Sequence, residues 1–126
     1  MVALRIEPAD DTPLVILDKA NQKFEISGKS LPEDVIEFYR TVLDWMNEYV
    51  REPLEKTVFE FKMIYFNTAS SKLILDILMI LEEIQEKGKA VLVHWKSLES
   101  DEDMKEAGEE YAEMVDIPFE YDTFSL

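Results

Sequence analysis

The sequence contains no cysteine, a single histidine and only three glycines. Without cysteine there is no disulfide framework, no thiolate nucleophile and no cysteine-ligated zinc. Three isolated glycines cannot form a G-x-G-x-x-G motif or a P-loop, and together with five prolines they argue against a long flexible linker. These absences exclude most of the common motifs for catalysis and cofactor binding.

Basic residues are also scarce, because 13 lysines and arginines stand against 28 acidic residues, for a formal net charge of −15. Binding to nucleic acid or to an anionic membrane depends on Lys and Arg, so this balance argues against both. It fits solubility or a basic protein partner. No apolar run approaches the ~18 residues of a membrane span, and "MVALRIEPADD" lacks the regions of a secretory signal. We therefore expect a cytoplasmic protein without membrane insertion.

The length of 126 residues and the hydrophobic content of 47% suit one compact domain, so we expect residues 1–126 to form a single domain. The first thirty residues predict three short strands, in "ALRIEP", "PLVILD" and "KFEISG". The intervening "DKANQ" predicts a turn, which would make the second and third strands a hairpin.

Three segments with helical periodicity follow. The first predicted helix covers Glu33 to Arg51, and Ser30 stands in capping-box spacing to Glu33. The second covers "SKLILDILMILEEIQEKG", where Gly88 would end the helix in the left-handed conformation. The third covers "SDEDMKEAGEEYAEMV", for which Ser100 is the candidate cap.

The segments between these helices are rich in β-branched and aromatic residues. "TVFEFKMIYF" predicts a strand covered on both faces, "KAVLVHW" predicts another buried strand, and "IPFEYDTF" predicts a closing edge strand. Strands and helices alternate after the first three strands, which favours parallel pairing with right-handed crossovers. The predicted fold is therefore α/β, with a mixed β-sheet, an N-terminal β-hairpin and three main α-helices.

His94 and an acidic segment are the remaining candidates for catalysis or metal binding. His94 ends a predicted strand, and the sequence has no G-x-S-x-G nucleophile elbow, so a structural or surface role is favoured over a catalytic one. The acidic segment lacks the spacing of an EF-hand loop, and acids are already favoured at a helix start. It comprises Glu99, Asp101, Glu102 and Asp103. We predict no metal site and no cofactor.

The stretch "YFNTASSK", residues 65–72, joins a predicted strand to the second predicted helix and carries three hydroxyl side chains. In a partly parallel sheet this junction lies at the carboxyl edge, where open α/β folds place functional groups. Asn67 or Thr68 can begin the turn, and Ser70 or Ser71 can cap the helix. One cap needs one hydroxyl, so two are surplus, and a phosphate is tolerated at a helix N-terminus. From the pattern alone, ordinary turn chemistry is the favoured explanation, because Ser and Thr are common in turns.

At this junction the sequence resembles the SiaC family of bacterial regulatory phosphoproteins, which are similar to the STAS-domain antagonists of anti-sigma factors. The resemblance runs almost end to end and is most specific at residues 67–72. It is carried by "DTPLVILD", "KFEISGKSLPED", "FYRTVLDW", "TVFEFKMIYFNTASSKLILDIL", "GKAVLVHW" and "DEDMKEAGEEYAEMVDIPFE".

The resemblance implies a STAS-like domain that is not an enzyme and is phosphorylated on a hydroxyl of the strand–helix loop. The phosphothreonine of the family matches Thr68. The implied partners are a serine/threonine kinase with a histidine-kinase-like ATPase fold, a PP2C-type phosphatase, and a diguanylate cyclase that the unphosphorylated form binds and activates. The loop residues implied in partner binding are Asn67, Ala69, Ser70, Ser71 and Lys72.

Two other functional classes stay open from the sequence. One is a STAS-like sensor of a small ligand or nucleotide, and the other is a small enzyme that uses His94 and nearby carboxylates. Within the phosphoprotein hypothesis, the downstream target and the oligomeric state are open. So are the direction of the phosphate's effect on binding and a second modification at Ser70 or Ser71.

Overall fold

The structure, a computed structural model, describes residues 1–126. Its elements confirm the predicted order of strands and helices, and the fold is mixed α/β. The strands are β1 (Leu4–Ile6), β2 (Leu14–Asp18), β3 (Lys23–Ser30), β4 (Lys56–Phe66), β5 (Ala90–Leu98) and β6 (Phe119–Phe124). The helices are α1 (Val35–Tyr49), α2 (Thr68–Glu86) and α3 (Glu102–Met114).

The six strands form one sheet in the order β1-β2-β3-β4-β5-β6. β1, β2 and β3 pair antiparallel, which confirms the predicted β2–β3 hairpin, and β3 to β6 pair parallel. Each parallel neighbour is reached through one helix, as the alternation of strand and helix patterns predicts. The carboxyl ends of β3, β4 and β5 therefore lie along one edge, together with the starts of the helices that follow them.

The helices cover one face of the sheet and leave the other face open. Along β4 the side chains of Phe59, Phe61 and Met63 are fully buried, whereas the alternate residue Val58 is 39% exposed. The open face carries charged side chains, including an ion pair between Lys96 and Glu60. The prediction that β4 is covered on both faces was wrong. The fully buried side chains fall on alternate positions of the strand, and only this set faces the helices.

The core between the helices and the sheet is continuous and rich in aromatic residues. Trp95 on β5 packs against Phe61 and Tyr111 with tilted rings, and its indole N–H donates to the backbone carbonyl of Met104 on α3 at 2.9 Å. Gly108 of α3 lies directly over the indole, since a Cβ added there would stand 2.5 Å from the ring. The small residue thus allows α3 to pack closely against the sheet.

All three helices begin at residues other than the predicted ones, and α2 starts at Thr68, three residues before the predicted segment. The Asp34 carboxylate caps α1 and the Asp101 carboxylate caps α3, so neither the Ser30–Glu33 capping box nor Ser100 starts a helix. Ser30 is unavailable because its backbone continues β3 and pairs with β4. α1 also begins two residues later and ends two residues earlier than the predicted Glu33 to Arg51.

The C-terminal end of α2 agrees with the prediction. Gly88 adopts a left-handed backbone with φ of +90°, and its N–H donates to the carbonyl of Gln85. At 19 residues α2 is the longest helix. Neither it nor the other two helices combine the length and the apolar character that a membrane crossing requires.

Candidate functional site

The junction between β4 and α2 lies at the carboxyl edge of the sheet, as predicted. Asn67 is the N-cap of α2: its side-chain oxygen accepts a hydrogen bond from the Ser70 backbone N–H at 2.8 Å. The Asn67 N–H in turn donates to the Ser30 carbonyl at 3.0 Å, which fixes the loop to β3. Neither Ser70 nor Ser71 caps the helix, because the amide of Asn67 already fills that role.

The Ser70 side chain is fully buried beneath the junction. Its hydroxyl donates to the Ser30 carbonyl at 3.0 Å and accepts from the Ser30 hydroxyl at 2.9 Å. Tyr39 of α1 completes this chain of hydroxyls, with its oxygen 2.6 Å from that of Ser30. Burial raises the pKa of Tyr39 above its ordinary value, although the hydrogen bond to Ser30 partly opposes the shift. The chain is a neutral network that joins α1, β3 and α2.

The third hydroxyl of the stretch, Ser71, is half-buried and also engaged. Its Oγ donates to the Thr68 carbonyl at 2.6 Å, and its own carbonyl accepts from the Tyr111 hydroxyl of α3 at 2.7 Å. Burial raises the pKa of Tyr111, so this donor keeps its proton throughout the physiological range. The first turn of α2 is thus attached to α3 as well as to β3.

Thr68 differs from both serines because its side chain is exposed and only its backbone carbonyl takes part in the local hydrogen bonds. It is the first residue of α2, where the unsatisfied N–H groups of the helix favour an anion. No acidic residue lies in the first turn of α2 to repel one. Thr68 is therefore the accessible hydroxyl of the junction.

Thr68 also begins a row of side chains along the outer side of α2, in which only Leu75 is half-buried and packs against the core. Residues three or four positions apart share a helix face, so Lys72, Leu75 and Met79 continue this row. Met79 is 50% exposed, which is high for a large apolar side chain. We name the four residues the outer stripe of α2. It combines an accessible hydroxyl, one positive charge and an apolar surface.

His94 lies far from this junction in the fold, on the open face of the sheet. Its ring nitrogens are 3.9 Å from a Glu60 carboxylate oxygen and 3.8 Å from an Asp122 oxygen, beyond hydrogen-bond length. No group of three or more His, Asp or Glu side chains is placed to hold a metal ion. In the acidic segment 99–103, Asp101 serves as the cap of α3.

Sequence reasoning missed three residues that shape the junction. The sequence predicts a capping role for Ser30 and no hydrogen-bonding role for the hydroxyls of Tyr39 and Tyr111. Each lies 31 to 40 residues from the Ser70–Ser71 pair, so no local pattern marks the contacts. A buried tyrosine needs a partner for its hydroxyl, and that requirement was the available signal.

Both the sequence and the fold of this chain resemble those of known proteins. The family model described as "SiaC family regulatory phosphoprotein" matches residues 6–124. An uncharacterized protein of Pseudomonas aeruginosa strain UCBPP-PA14 is 29% identical over 119 residues, which covers 94% of each chain.

Solved structures agree with the sequence match. Apo-SiaC from Pseudomonas aeruginosa is 28% identical, with a TM-score of 0.86 over 97% of this chain and 99% of that one. A chain in the crystal structure of the diguanylate cyclase SiaD in complex with its activator SiaC, from the same organism, is 28% identical. It has a TM-score of 0.89, over 96% of this chain and 99% of that one. With its sequence and its fold both matched over nearly their whole length, the chain belongs to the SiaC family of regulatory phosphoproteins.

Proposed function

We propose that this protein is a binding switch without catalytic activity of its own, controlled by phosphorylation of Thr68. The observation that carries the proposal is the contrast between the three hydroxyls of the junction. Ser70 is buried in a hydrogen-bonded network, Ser71 donates within its own helix turn, and Thr68 is exposed at the helix start. A kinase can reach the Thr68 hydroxyl without unfolding the helix that displays it.

The outer stripe of α2 supplies the surface that the switch would control. In the unphosphorylated protein, Leu75 and Met79 offer apolar contacts and Thr68 is uncharged. Phosphorylation adds about −1.5 to −2 charges at one end of this surface. Burying such a charge against an apolar partner costs several kcal/mol, which is enough to abolish a micromolar contact. Phosphate would therefore release the partner.

The proposed partners follow from family membership. SiaC of Pseudomonas aeruginosa is described as the activator of the diguanylate cyclase SiaD. By analogy, this chain in its unphosphorylated form would bind and activate a diguanylate cyclase. A serine/threonine kinase with a histidine-kinase-like ATPase fold would add the phosphate, and a PP2C-type phosphatase would remove it. Since the kinase needs ATP, we place the cycle in the cytoplasm.

The direct test is phosphorylation by the cognate kinase and ATP, followed by mass spectrometry of the tryptic peptide from Met63 to Lys72. We expect one phosphate, on Thr68. Thr68→Ala should remove it and keep the cyclase bound in the presence of kinase and ATP. Ser71→Ala is the matched control, because it removes the neighbouring hydroxyl and should leave phosphorylation unchanged.

Two results would count against the proposal. Phosphate on Ser71 with Thr68 unmodified would refute the assignment of the residue. An unmodified peptide, together with cyclase binding that Thr68→Glu does not weaken, would refute the switch. Glutamate should imitate the phosphate only in part, because it carries a smaller charge and fewer acceptor oxygens. The ligand-sensor alternative makes a different prediction, a rise in melting temperature on ligand binding.

A further inference from the structure

A shallow apolar groove runs beside the junction, between the end of β4, the start of α2 and the length of α3. It consists of two adjoining depressions of about 290 Å³ and 160 Å³, and Phe66 and Ala107 belong to both. We name this feature the α3 groove. Its two ends carry large apolar side chains that are unusually exposed, with Tyr65 at 49% and Met114 at 59%. The groove is distinct from the outer stripe of α2, which contributes no residue to it.

The walls of the α3 groove are fixed by the core. Trp95 holds α3 through the Met104 carbonyl, and Tyr111 holds α3 to the first turn of α2 through the Ser71 carbonyl. Gly108 brings the helix against the sheet, and the small side chain of Ala107 leaves the floor between α2 and α3 open. The groove is therefore preformed, which lowers the entropic cost of filling it.

The shape of the depressions indicates what kind of occupant fits. Sites for small molecules typically enclose most of the ligand's surface, whereas both depressions are shallow and open to solvent. An open groove with apolar floor and exposed apolar ends instead suits the side chains of a helix lying along it. Met114, which is flexible and polarizable, can adapt its shape to such an occupant.

The charge around the groove selects among helices. Asp101, Asp103 and Glu110 line it, and none of its lining residues is basic. α3 as a whole carries six acidic residues and one lysine. These carboxylates would repel an acidic helix and would give a neutral helix no electrostatic attraction. A helix with Lys and Arg flanking its apolar face would be complementary to them.

We propose that the α3 groove docks a basic amphipathic helix of a protein partner, with apolar side chains over Phe66 and Ala107 and basic side chains toward Asp103 and Glu110. This proposal depends on the proposed function in one respect only, which is that the chain acts by binding a protein. It adds a second contact surface, which lies beside Thr68 and does not require its phosphorylation.

The test uses the full chain and a fluorescent helical peptide of about 14 residues built from leucine and arginine. Its affinity is measured by fluorescence anisotropy, and its position is mapped by amide NMR shifts. We expect shifts centred on Phe66, Ala107 and Met114. A leucine–glutamate peptide of the same pattern should not bind.

Charge-reversal variants distinguish binding in the α3 groove from a general attraction of the basic peptide to an acidic protein. Asp103→Lys combined with Glu110→Lys should lower the affinity for the basic peptide by about tenfold or more. Asp44→Lys with Glu48→Lys, which makes the same net charge change on the exposed side of α1, should leave the affinity nearly unchanged. Circular dichroism establishes that both double variants remain folded. Equal weakening by the two pairs would overturn the proposal.

Substitutions of two methionines then distinguish binding in the α3 groove from binding at the outer stripe of α2. Met114→Ala should weaken the peptide severalfold, whereas Met79→Ala, which truncates a side chain of similar exposure on α2, should not. A stronger effect of Met79→Ala, or NMR shifts centred on another surface, would contradict the groove. Sedimentation showing that the wild-type chain dimerises, with Met114→Ala making it monomeric, would assign the groove to a second copy and overturn the proposal.

Discussion

Ser30 and Ser70 are forty positions apart in the chain and are joined by two hydrogen bonds. The Ser30 hydroxyl donates to the Ser70 hydroxyl, and the Ser70 hydroxyl donates to the Ser30 carbonyl. Both side chains are fully buried. The pair therefore fixes the first turn of α2 to the end of β3 and gives Ser70 a structural role, while Thr68, two residues earlier, faces solvent.

This contrast predicts different costs for removing the two hydroxyls. Ser70→Ala should lower the free energy of unfolding by about 1–3 kcal/mol, because the Ser30 hydroxyl loses its acceptor in a buried site. Thr68→Ala should change it by less than about 1 kcal/mol, since the side chain is exposed. Urea unfolding monitored by circular dichroism measures both. A loss for Thr68→Ala as large as that for Ser70→Ala would contradict the assignment.

The Asn67 cap gives a second prediction. Asn67→Ala should destabilise the protein by about 0.5–2 kcal/mol, because the Ser70 N–H loses its side-chain acceptor. Asn67→Ser or Asn67→Asp should retain most of the stability, since each side chain can accept the same bond. Thermal unfolding of the three variants provides the comparison. If serine and alanine were equally damaging, Asn67 would be important for some reason other than capping.

Gly108 gives a third prediction, since it lies over Trp95. The Cβ introduced by Gly108→Ala would meet three indole atoms at 2.5 to 2.7 Å. Overpacking of this kind costs about 1–3 kcal/mol, and alanine recovers up to about 1 kcal/mol through its better helix propensity. We expect a net destabilisation in chemical unfolding. Glu109→Ala, one position along on the exposed side of α3, should stay within about 0.5 kcal/mol.

Alkaline pH gives the fourth prediction, through Tyr39. Because burial raises its pKa in the folded protein, the unfolded chain loses this proton first, near pH ~10. The contribution of Tyr39 to the free energy of unfolding is complete below that pH and falls as the pH rises toward the folded-state pKa. Urea midpoints measured from pH 8 upward should therefore decline more steeply for the wild type than for Tyr39→Phe. Tyr65→Phe, at an exposed tyrosine, should follow the wild type.

The fold was largely predictable because its elements are marked locally. Segments with strand patterns and segments with helical periodicity alternate along the sequence, which predicts the order of the elements, and Gly88 ends α2 as expected. The coverage of β4 could not be predicted from its own residues. An apolar strand sequence does not reveal which face a helix covers, and here charged side chains such as Glu60 and Lys96 pair across the open face instead.

The candidate site was predictable in place but not in detail. The YFNTASSK stretch lies at the carboxyl edge, and Asn67 was one of two residues considered for the turn. The roles of the serines depend on contacts with Ser30 and Tyr111, which are formed only when β3 and α3 pack beside α2. Helix capping is decided by whichever side chain reaches the free N–H groups, and Asn67, Asp34 and Asp101 were better placed than the expected serines.

The hydrogen bonds of the two tryptophans make them separate fluorescent reporters of two regions. Trp45 donates to the Val2 carbonyl and so reports on the N-terminal segment, whereas Trp95 donates to Met104, a residue that lines the α3 groove. In Trp45→Phe the remaining tryptophan emission comes from Trp95 beneath α3. In Trp95→Phe it comes from Trp45 on α1. Docking in the α3 groove should therefore shift the spectrum of the first variant and leave that of the second unchanged, so a binding event can be located without any attached dye.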